Sequence, residues 1–379
     1  MGDKATKPII FNARKYSLDF LKKRLKVTKV IDTYRLQLED LFLIRNPRFR
    51  FNKNYQKDLT KFVKEHTKGL PLEKCGNWVY FPWNGLLVHY LEDSLHQELR
   101  TARNKNFITS KEQEKLYNTT IGIAGLSVGS NIAIALSLMG ACRKIKIADP
   151  DVIAPSNLNR IITDFTNIGI NKAVVIARYI YQVNPYAEIE IFEEGINKKN
   201  IKEFLKGLDI LIEELDDIEI KIEIRKLARR KKIPVIMATD NGDNVIIDIE
   251  RFDIKPDLPL FHGNIKNIDY KNINKNIPKL YKAMSKIIGL RFVPSRIIQS
   301  IFEVGKTIYS WPQLITAAML SGAVVAYVVK KIILNEKIKS GKLEVNLNKI
   351  FDRDYNKELR NRRILIKQFN QWLKSLERS

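Results

Sequence analysis

Between Thr119 and Phe252 the apolar positions switch period in a regular way, and the switching predicts alternating strands and helices. Ile121–Ala124 is a short apolar run closed by Gly125, read as a buried strand. A helix-like apolar segment follows over Ile132–Met139, then a second strand over Lys144–Ala148 that ends at Asp149. A helix is expected over Asn171–Val183, strands over Glu188–Phe192 and Leu208–Glu213, and a helix over Ile218–Lys232. Strands at Pro234–Ala238 and Val245–Phe252 complete the series. Such alternation implies a doubly wound, Rossmann-like α/β fold with a mostly parallel sheet, and ligands at the carboxyl ends of its strands.

The flanks are less periodic. Residues 1–115 read as an N-terminal α+β extension. Within it, Tyr16–Leu43 has helical spacing through Leu18, Leu21, Leu25, Val30, Tyr34, Leu36, Leu38 and Leu41, and Asn77–Phe81 reads as a strand ended by Pro82. The aromatics Trp78, Tyr80, Phe81 and Trp83 fit either a hydrophobic core or a peptide-binding groove. Glu98–Gln113 is a charged helix or linker. Residues 116–262 form the alternating core, and 263–379 a helical region for packing or dimerisation. In that last region Leu314–Val329 is the longest apolar stretch, and the Lys/Arg-rich tail from Asp352 is expected as an exposed helix.

The chemistry is concentrated after the first core strand. Gly125, Ser127 and Gly129 form a turn into a helix, and Asp149 follows Gly125 by 24 positions. Glycine permits close approach of the backbone to a phosphate or ribose, the helix N-terminus offers free N–H groups, and the carboxylate accepts from ribose hydroxyls. A purely structural βαβ unit would share this pattern. So would the G-x-S-x-G nucleophile elbow of the α/β-hydrolases, with His262 downstream. The hydrolase reading lacks the strands expected before an elbow and leaves Ser156–Arg160 without a purpose.

The run Asp149-Pro-Asp151-Val-Ile-Ala-Pro-Ser156-Asn157-Leu-Asn-Arg160 resembles the D-x-D-x-V-x-x-S-N-L-x-R-Q signature of the ThiF/MoeB family, which includes the ubiquitin-activating enzymes. Gly169-Ile-Asn-Lys172 resembles that family's G-x-x-K, and Leu208–Asp217 its strand ending in D-x-x-D-N. The resemblance implies an ATP-dependent adenylating enzyme. It places Gly125, Ser127, Gly129, Asp149, Asp151, Asn157, Arg160 and Lys172 at ATP, with Asp149 on the ribose and Asn157, Arg160 and Lys172 on the phosphates. It makes Asp216 the magnesium ligand, with Arg160, Lys172 and Asp216 as the catalytic set. Tyr309–Pro312 and the apolar stretch after it resemble the family's closing helix, and Arg100 or Arg103 would reach the ATP of a partner in a homodimer. Three positions depart from the pattern: Ile161 stands for Gln, Glu213 for Asp, and Asp217 for Asn.

Composition narrows the chemistry available after activation. The only cysteines are Cys75 and Cys142, so no thiol lies downstream of the core to carry an acyl group, and neither a disulfide framework nor a zinc site is expected. The adenylate would then be captured by a nucleophile on the substrate, giving cyclisation or dehydration. Two branches of the family resemble this logic: peptide-modifying enzymes of the microcin C type, which mature ribosomally made antibiotics, and tRNA-modifying cyclases. The N-terminal extension favours a peptide or protein substrate with carboxylates. A formal charge of +24, from 66 basic and 42 acidic side chains, suits an acidic peptide or tRNA equally, although the basic residues are scattered. A non-catalytic ThiF-like partner protein is the third possibility. Met1–Lys7 leads into no apolar signal region, Leu314–Val329 is short for a membrane span, and a cytoplasmic protein without a membrane partner is expected.

Overall fold

A computed structural model of the chain describes residues 6–266 and 269–376. Met1–Ala5, part of the segment inspected for a targeting signal, lie outside the described residues. The chain divides into two compact units.

The first unit comprises the chain up to Tyr117 together with Ser137–Ala141 and Ala177–Ala187. Its sheet is built from β1 (Ile9–Asn12), β2 (Lys29–Ile31), β3 (Asn77–Phe81) and β4 (Leu86–Tyr90), in the order β1-β3-β4-β2. β3 pairs antiparallel with both β1 and β4, whereas β2 lies parallel to β4. The single helical stretch expected over Tyr16–Leu43 is in fact two helices, Leu18–Arg24 and Tyr34–Arg45, separated by β2. The β-branched residues Val27, Thr28, Val30 and Ile31 favour the extended backbone that interrupts them. Asp32 then starts the second helix by accepting a hydrogen bond from the Tyr34 N–H at 3.1 Å. Glu98–Gln113 likewise resolves into the end of one helix, Asp93–Thr101, and the start of another, Ser110–Tyr117.

The aromatics of β3 are core. Trp78, Tyr80 and Phe81 are buried, and the Trp78 ring stacks on His89 at 4.2 Å, which stacks in turn on Tyr34 at 4.2 Å. The Trp78 indole N–H donates to the Glu73 carbonyl, so its polar atom is satisfied inside the unit. Trp83 alone is half-buried, with the Arg178 guanidinium 5.7 Å from its ring centre.

The second unit holds a seven-stranded sheet: β5 (Thr120–Ala124), β6 (Lys144–Ala148), β7 (Glu188–Phe192), β8 (Ile210–Glu213), β9 (Val235–Asn241), β10 (Asn244–Glu250) and β11 (Gly341–Val345). The order is β11-β10-β9-β8-β5-β6-β7. The five strands β5 to β9 run parallel, and β10 and β11 are added antiparallel. Strand order therefore reverses between β5 and β8, which opens a crevice at their carboxyl ends. Within the C-terminal region read as helical, β11 is an edge strand paired from Val245↔Val345 to Ile249↔Gly341. Its five residues, Gly-Lys-Leu-Glu-Val, are too short and polar to announce a strand in sequence.

The C-terminal helices of this unit are more buried than their composition suggests. The tail helix Tyr355–Leu376 inserts Phe369 and Leu373 into a cluster where Trp372 meets Tyr281 and Phe302 edge-on at 5.2 and 5.6 Å. The helix Ile315–Ile333 is long and apolar enough to cross a membrane by length and composition, yet half of its apolar window is buried. Gly322 explains how it packs: a Cβ there would lie 2.8 Å from the Asn131 carbonyl oxygen, so only glycine lets the two backbones meet.

Below the crevice, Glu213 anchors a buried charge network. Its carboxylate meets Lys221 Nζ at 2.8 Å and Arg225 Nε at 2.9 Å, and Arg225 Nη1 reaches Glu250 at 2.5 Å. Asp248 Oδ1 bonds His262 Nε2 at 2.9 Å. Asp248, Glu250 and His262 are spaced as metal ligands would be, but Arg225 and Lys342 already supply the cationic charge there.

Candidate functional site

The crevice is built by the turn after β5. Gly125 has φ +93°, and a Cβ on it would lie 2.3 Å from the Glu214 carbonyl oxygen, so the turn needs glycine on both conformational and steric grounds. The next N–H, of Leu126, donates to Asp149 Oδ2 at 2.7 Å. Asp149 Oδ1 accepts from the Asp151 N–H at 2.9 Å. These two bonds fix a buried carboxylate at the end of β6, one strand from the turn, facing the helix Val128–Leu138. Burial pushes the Asp149 carboxyl above the usual carboxylate range, and Lys172 and the two N–H donors pull it back down.

Lys172 opens the helix Lys172–Val183 and is buried between two acids, 2.8 Å from Asp151 Oδ2 and 3.6 Å from Asp149 Oδ1. Asp151 is itself exposed. Arg160 lies on the other side of the turn. Its Nε donates to Ser127 Oγ at 3.0 Å, and its Nη1 to Asn159 Oδ1 at 3.0 Å and the Ser156 carbonyl at 3.3 Å. Burial lowers the Arg160 guanidinium from its ordinary value, whereas the charges of Asp240 and Asp216 raise it. Ser127 therefore meets an arginine. His262 bonds Asp248 instead, so no Ser–His pair forms and the nucleophile-elbow reading fails.

The other residues expected at the site from sequence take varied positions. Asn157 is buried and spends its Oδ1 on the Ala154 N–H, holding the loop that presents Arg160. Asp216 is exposed at the end of β8. Its neighbour Asp217 caps the helix Ile218–Arg230 through the Ile220 N–H and also accepts from Asn274 Nδ2. Glu213 points away from the crevice into the buried network. In the first unit, Arg100 is committed to Gln97 and to the Ser137 carbonyl, while Arg103 is exposed. Cys75 and Cys142 are both buried.

Two acids that the motif pattern does not mark also lie at the crevice. Glu214 follows β8 and accepts from the Ala238 N–H at 2.7 Å; burial pushes its carboxyl well above the usual range. Asp240, near the end of β9, accepts from Ser321 Oγ at 3.3 Å. Burial pushes it up to about 6, against the pull of Ser321, Arg160 and Gln313. The signal that could have marked Asp240 is its place: an acid ending a buried apolar run in a parallel sheet.

Residues 100–361 match the ThiF family, and the chain belongs to that family. An uncharacterized protein of Mycobacterium tuberculosis, MT1398, is 35% identical over 287 residues, covering 74% of this chain and 39% of that protein. The tRNA threonylcarbamoyladenosine dehydratase 2 of Saccharomyces cerevisiae is 26% identical, covering 51% of this chain and 44% of its own length. This chain thus spans less than half the length of either relative. Among solved structures, Escherichia coli MccB with MccA-N7isoAsn aligns at TM-score 0.43 and 19% identity, over 67% of this chain and 70% of that one.

Proposed function

We propose that the crevice binds ATP with magnesium and adenylates a substrate carboxylate. The observation that carries this reading is the Gly125 turn, whose following N–H is bonded to the buried Asp149 while Arg160 and Lys172 flank it with positive charge. A glycine turn, a buried acceptor and two cations suit ribose and phosphates together. Asp149 would take the ribose hydroxyls. Arg160 would leave Ser127 for the phosphates and stabilise charge as pyrophosphate departs, and Lys172 and Asn157 would support them. Asp216 would hold magnesium, which supplies neutralisation of phosphate charge; it fits that role because it is exposed while Asp217 is spent as a helix cap. The substrate carboxylate attacks the α-phosphorus, pyrophosphate leaves, and the resulting acyl group is open to a nucleophile carried by the substrate.

For the substrate we favour a peptide or protein with carboxylates, in maturation of a ribosomally made peptide antibiotic, with the first unit as its docking region. A tRNA substrate is the second reading, favoured by the name of the yeast relative and by the charge of +24. We also propose a homodimer in which the exposed Arg103 serves the partner's site. Calorimetry with MgATP and with NAD tests the nucleotide: tighter binding of NAD would sink adenylation. AMP release on adding an acidic peptide pool or total tRNA then separates the substrates.

A further inference from the structure

The sheet orders the crevice from one side to the other. Asp149 ends β6, Gly125 and Ser127 follow β5, Glu214 and Asp216 follow β8, and Asp240 lies near the end of β9. Asp240 lies two strands from β5, on the side away from Asp149, and is coupled electrostatically to Arg160. Its surroundings are specific. Ser321 Oγ, on the helix Ile315–Ile333, donates to Oδ1, and Gln313 faces it from the segment just before that helix. Asn159, beside Arg160, donates to the Gln313 carbonyl at 2.7 Å, which ties the arginine loop to the same segment. Arg160 lies within electrostatic reach, as does Glu214 on the neighbouring strand end. The second oxygen, Oδ2, is buried and has no hydrogen-bond partner among the described residues. A buried acceptor left open beside the reacting end of a site is unusual, because such atoms are nearly always satisfied.

Resting on the adenylation reading, we propose that Asp240 is the general base of the capture step, its Oδ2 taking the proton of the substrate nucleophile. The nucleophile X–H attacks the acyl carbon. The X–C bond forms, the C–O bond to AMP breaks, the electron pair leaves with AMP, and the proton passes to Asp240. The groups that face this carboxyl are one cation, Arg160, the donor Ser321, the neutral side chain of Gln313, and the acid Glu214. Seating the phosphates engages Arg160 and adds negative charge nearby, so both changes favour a proton on Asp240 when nucleotide is bound. The shift makes the remaining carboxylate a stronger base, and capture proceeds from the fraction of Asp240 that stays ionised, so its rate should rise with pH through the bound-state value.

The test uses the full chain and MgATP. Calorimetry at about pH 6.5 in buffers of different ionisation enthalpy counts the protons exchanged on binding. The parent should take up roughly half a proton more than Asp240→Asn, with the ionisation of MgATP common to both and cancelling in the difference. Asp164→Asn, at an exposed turn, should match the parent. A second measurement needs no variant: the parent's uptake should fade above about pH 7.5 and below about pH 5. Equal proton exchange in parent and Asp240→Asn, or an uptake that does not vary with pH, overturns the role of Asp240 while leaving ATP binding intact. If the parent binds no MgATP, the adenylation reading fails first and this inference falls with it.

Discussion

Arg160 Nε donates to Ser127 Oγ at 3.0 Å, so the cation that follows β6 is latched to the turn that follows β5. The latch holds the guanidinium beside the glycine turn. A hydroxyl is a weak partner for an arginine, and a phosphate oxygen would replace it readily.

Arg160→Ala should therefore weaken MgATP binding by roughly 10- to 100-fold, the value of a charge-assisted hydrogen bond. Asp216→Ala should act mainly on the magnesium-dependent part of affinity. Once a substrate is identified, each should lower pyrophosphate exchange by about 10²–10³. Ser127→Ala should change both quantities only slightly. Calorimetry, with circular dichroism to confirm folding, is the check. Parent-like affinity in both Arg160→Ala and Asp216→Ala would refute the assignment.

Arg225 supports a different prediction, on stability. It is fully buried and pairs with Glu213 and Glu250. Arg225→Ala would leave buried Glu250 without a cation and Glu213 with Lys221 alone, and should cost about 3–5 kcal/mol, read from the urea midpoint. Arg225→Met should be equally damaging, since it fills the space without supplying the charge. A loss near zero in both would mean that the acids are protonated in the folded chain.

The core strands were legible in sequence because buried parallel strands are near-continuous apolar runs bounded by turns. Ile121–Ala124 and Ile210–Glu213 illustrate this. The crevice was legible because its residues sit in one contiguous motif, from Asp149 to Arg160. Asp240 and Glu214 were not, since an acid near a strand end acquires its role only from neighbours on other elements, here Ser321 and Ala238. β11 was hidden for a similar reason: a short, half-polar edge strand is decided by its partner β10, not by its own periodicity. Glu213 stands at the motif's first Asp, but strand alternation turns it towards Arg225.

The His262–Asp248 pair gives the fold a pH signature. The hydrogen bond to Asp248 holds His262 above its ordinary value of 6.5, in spite of burial. Burial tends to raise Asp248, but His262, Arg225 and Lys342 outweigh it and hold the carboxyl below 3.8. Stability from His262 is complete below 6.5 and is lost as pH rises through its raised folded value. Stability from Asp248 is complete above 3.8 and is lost as pH falls through its lower folded value. Melting temperature against pH should thus fall on both sides of this window. His262→Gln should flatten the alkaline fall, and an unchanged alkaline limb would contradict the pairing.

The outer face of the helix Ile315–Ile333 bears on assembly. Ile315, Met319 and Tyr327 are exposed along one side of it, and Tyr309 and Trp311 just before it are exposed as well. A stripe of this kind is costly to leave in water, and a two-fold copy is the simplest way to cover it. Light scattering at micromolar concentration should give twice 44.0 kDa, and Met319→Glu with Tyr327→Glu should return the particle to a single chain. A parent that is monomeric in the same measurement would leave Arg103 with no partner site to enter.

The two thiols should be silent throughout. Cys75 is buried, its Sγ lies 3.6 Å from the Pro71 carbonyl, and burial raises its thiol above the ordinary value. Cys142 is buried too, in a turn with φ +46° just before β6. A thiol must ionise and meet its electrophile to carry an acyl group, and burial opposes both. The native protein should accordingly react slowly with a disulfide reagent, and both sulfurs should react at once when urea unfolds it. Cys75→Ser with Cys142→Ser should cost about 1–3 kcal/mol for the buried hydroxyls. It should leave MgATP affinity unchanged, as well as AMP release with whichever substrate proves active. A fast-reacting thiol in the native chain, or an acyl group found on either cysteine by mass spectrometry, would replace capture within the substrate by a thioester relay.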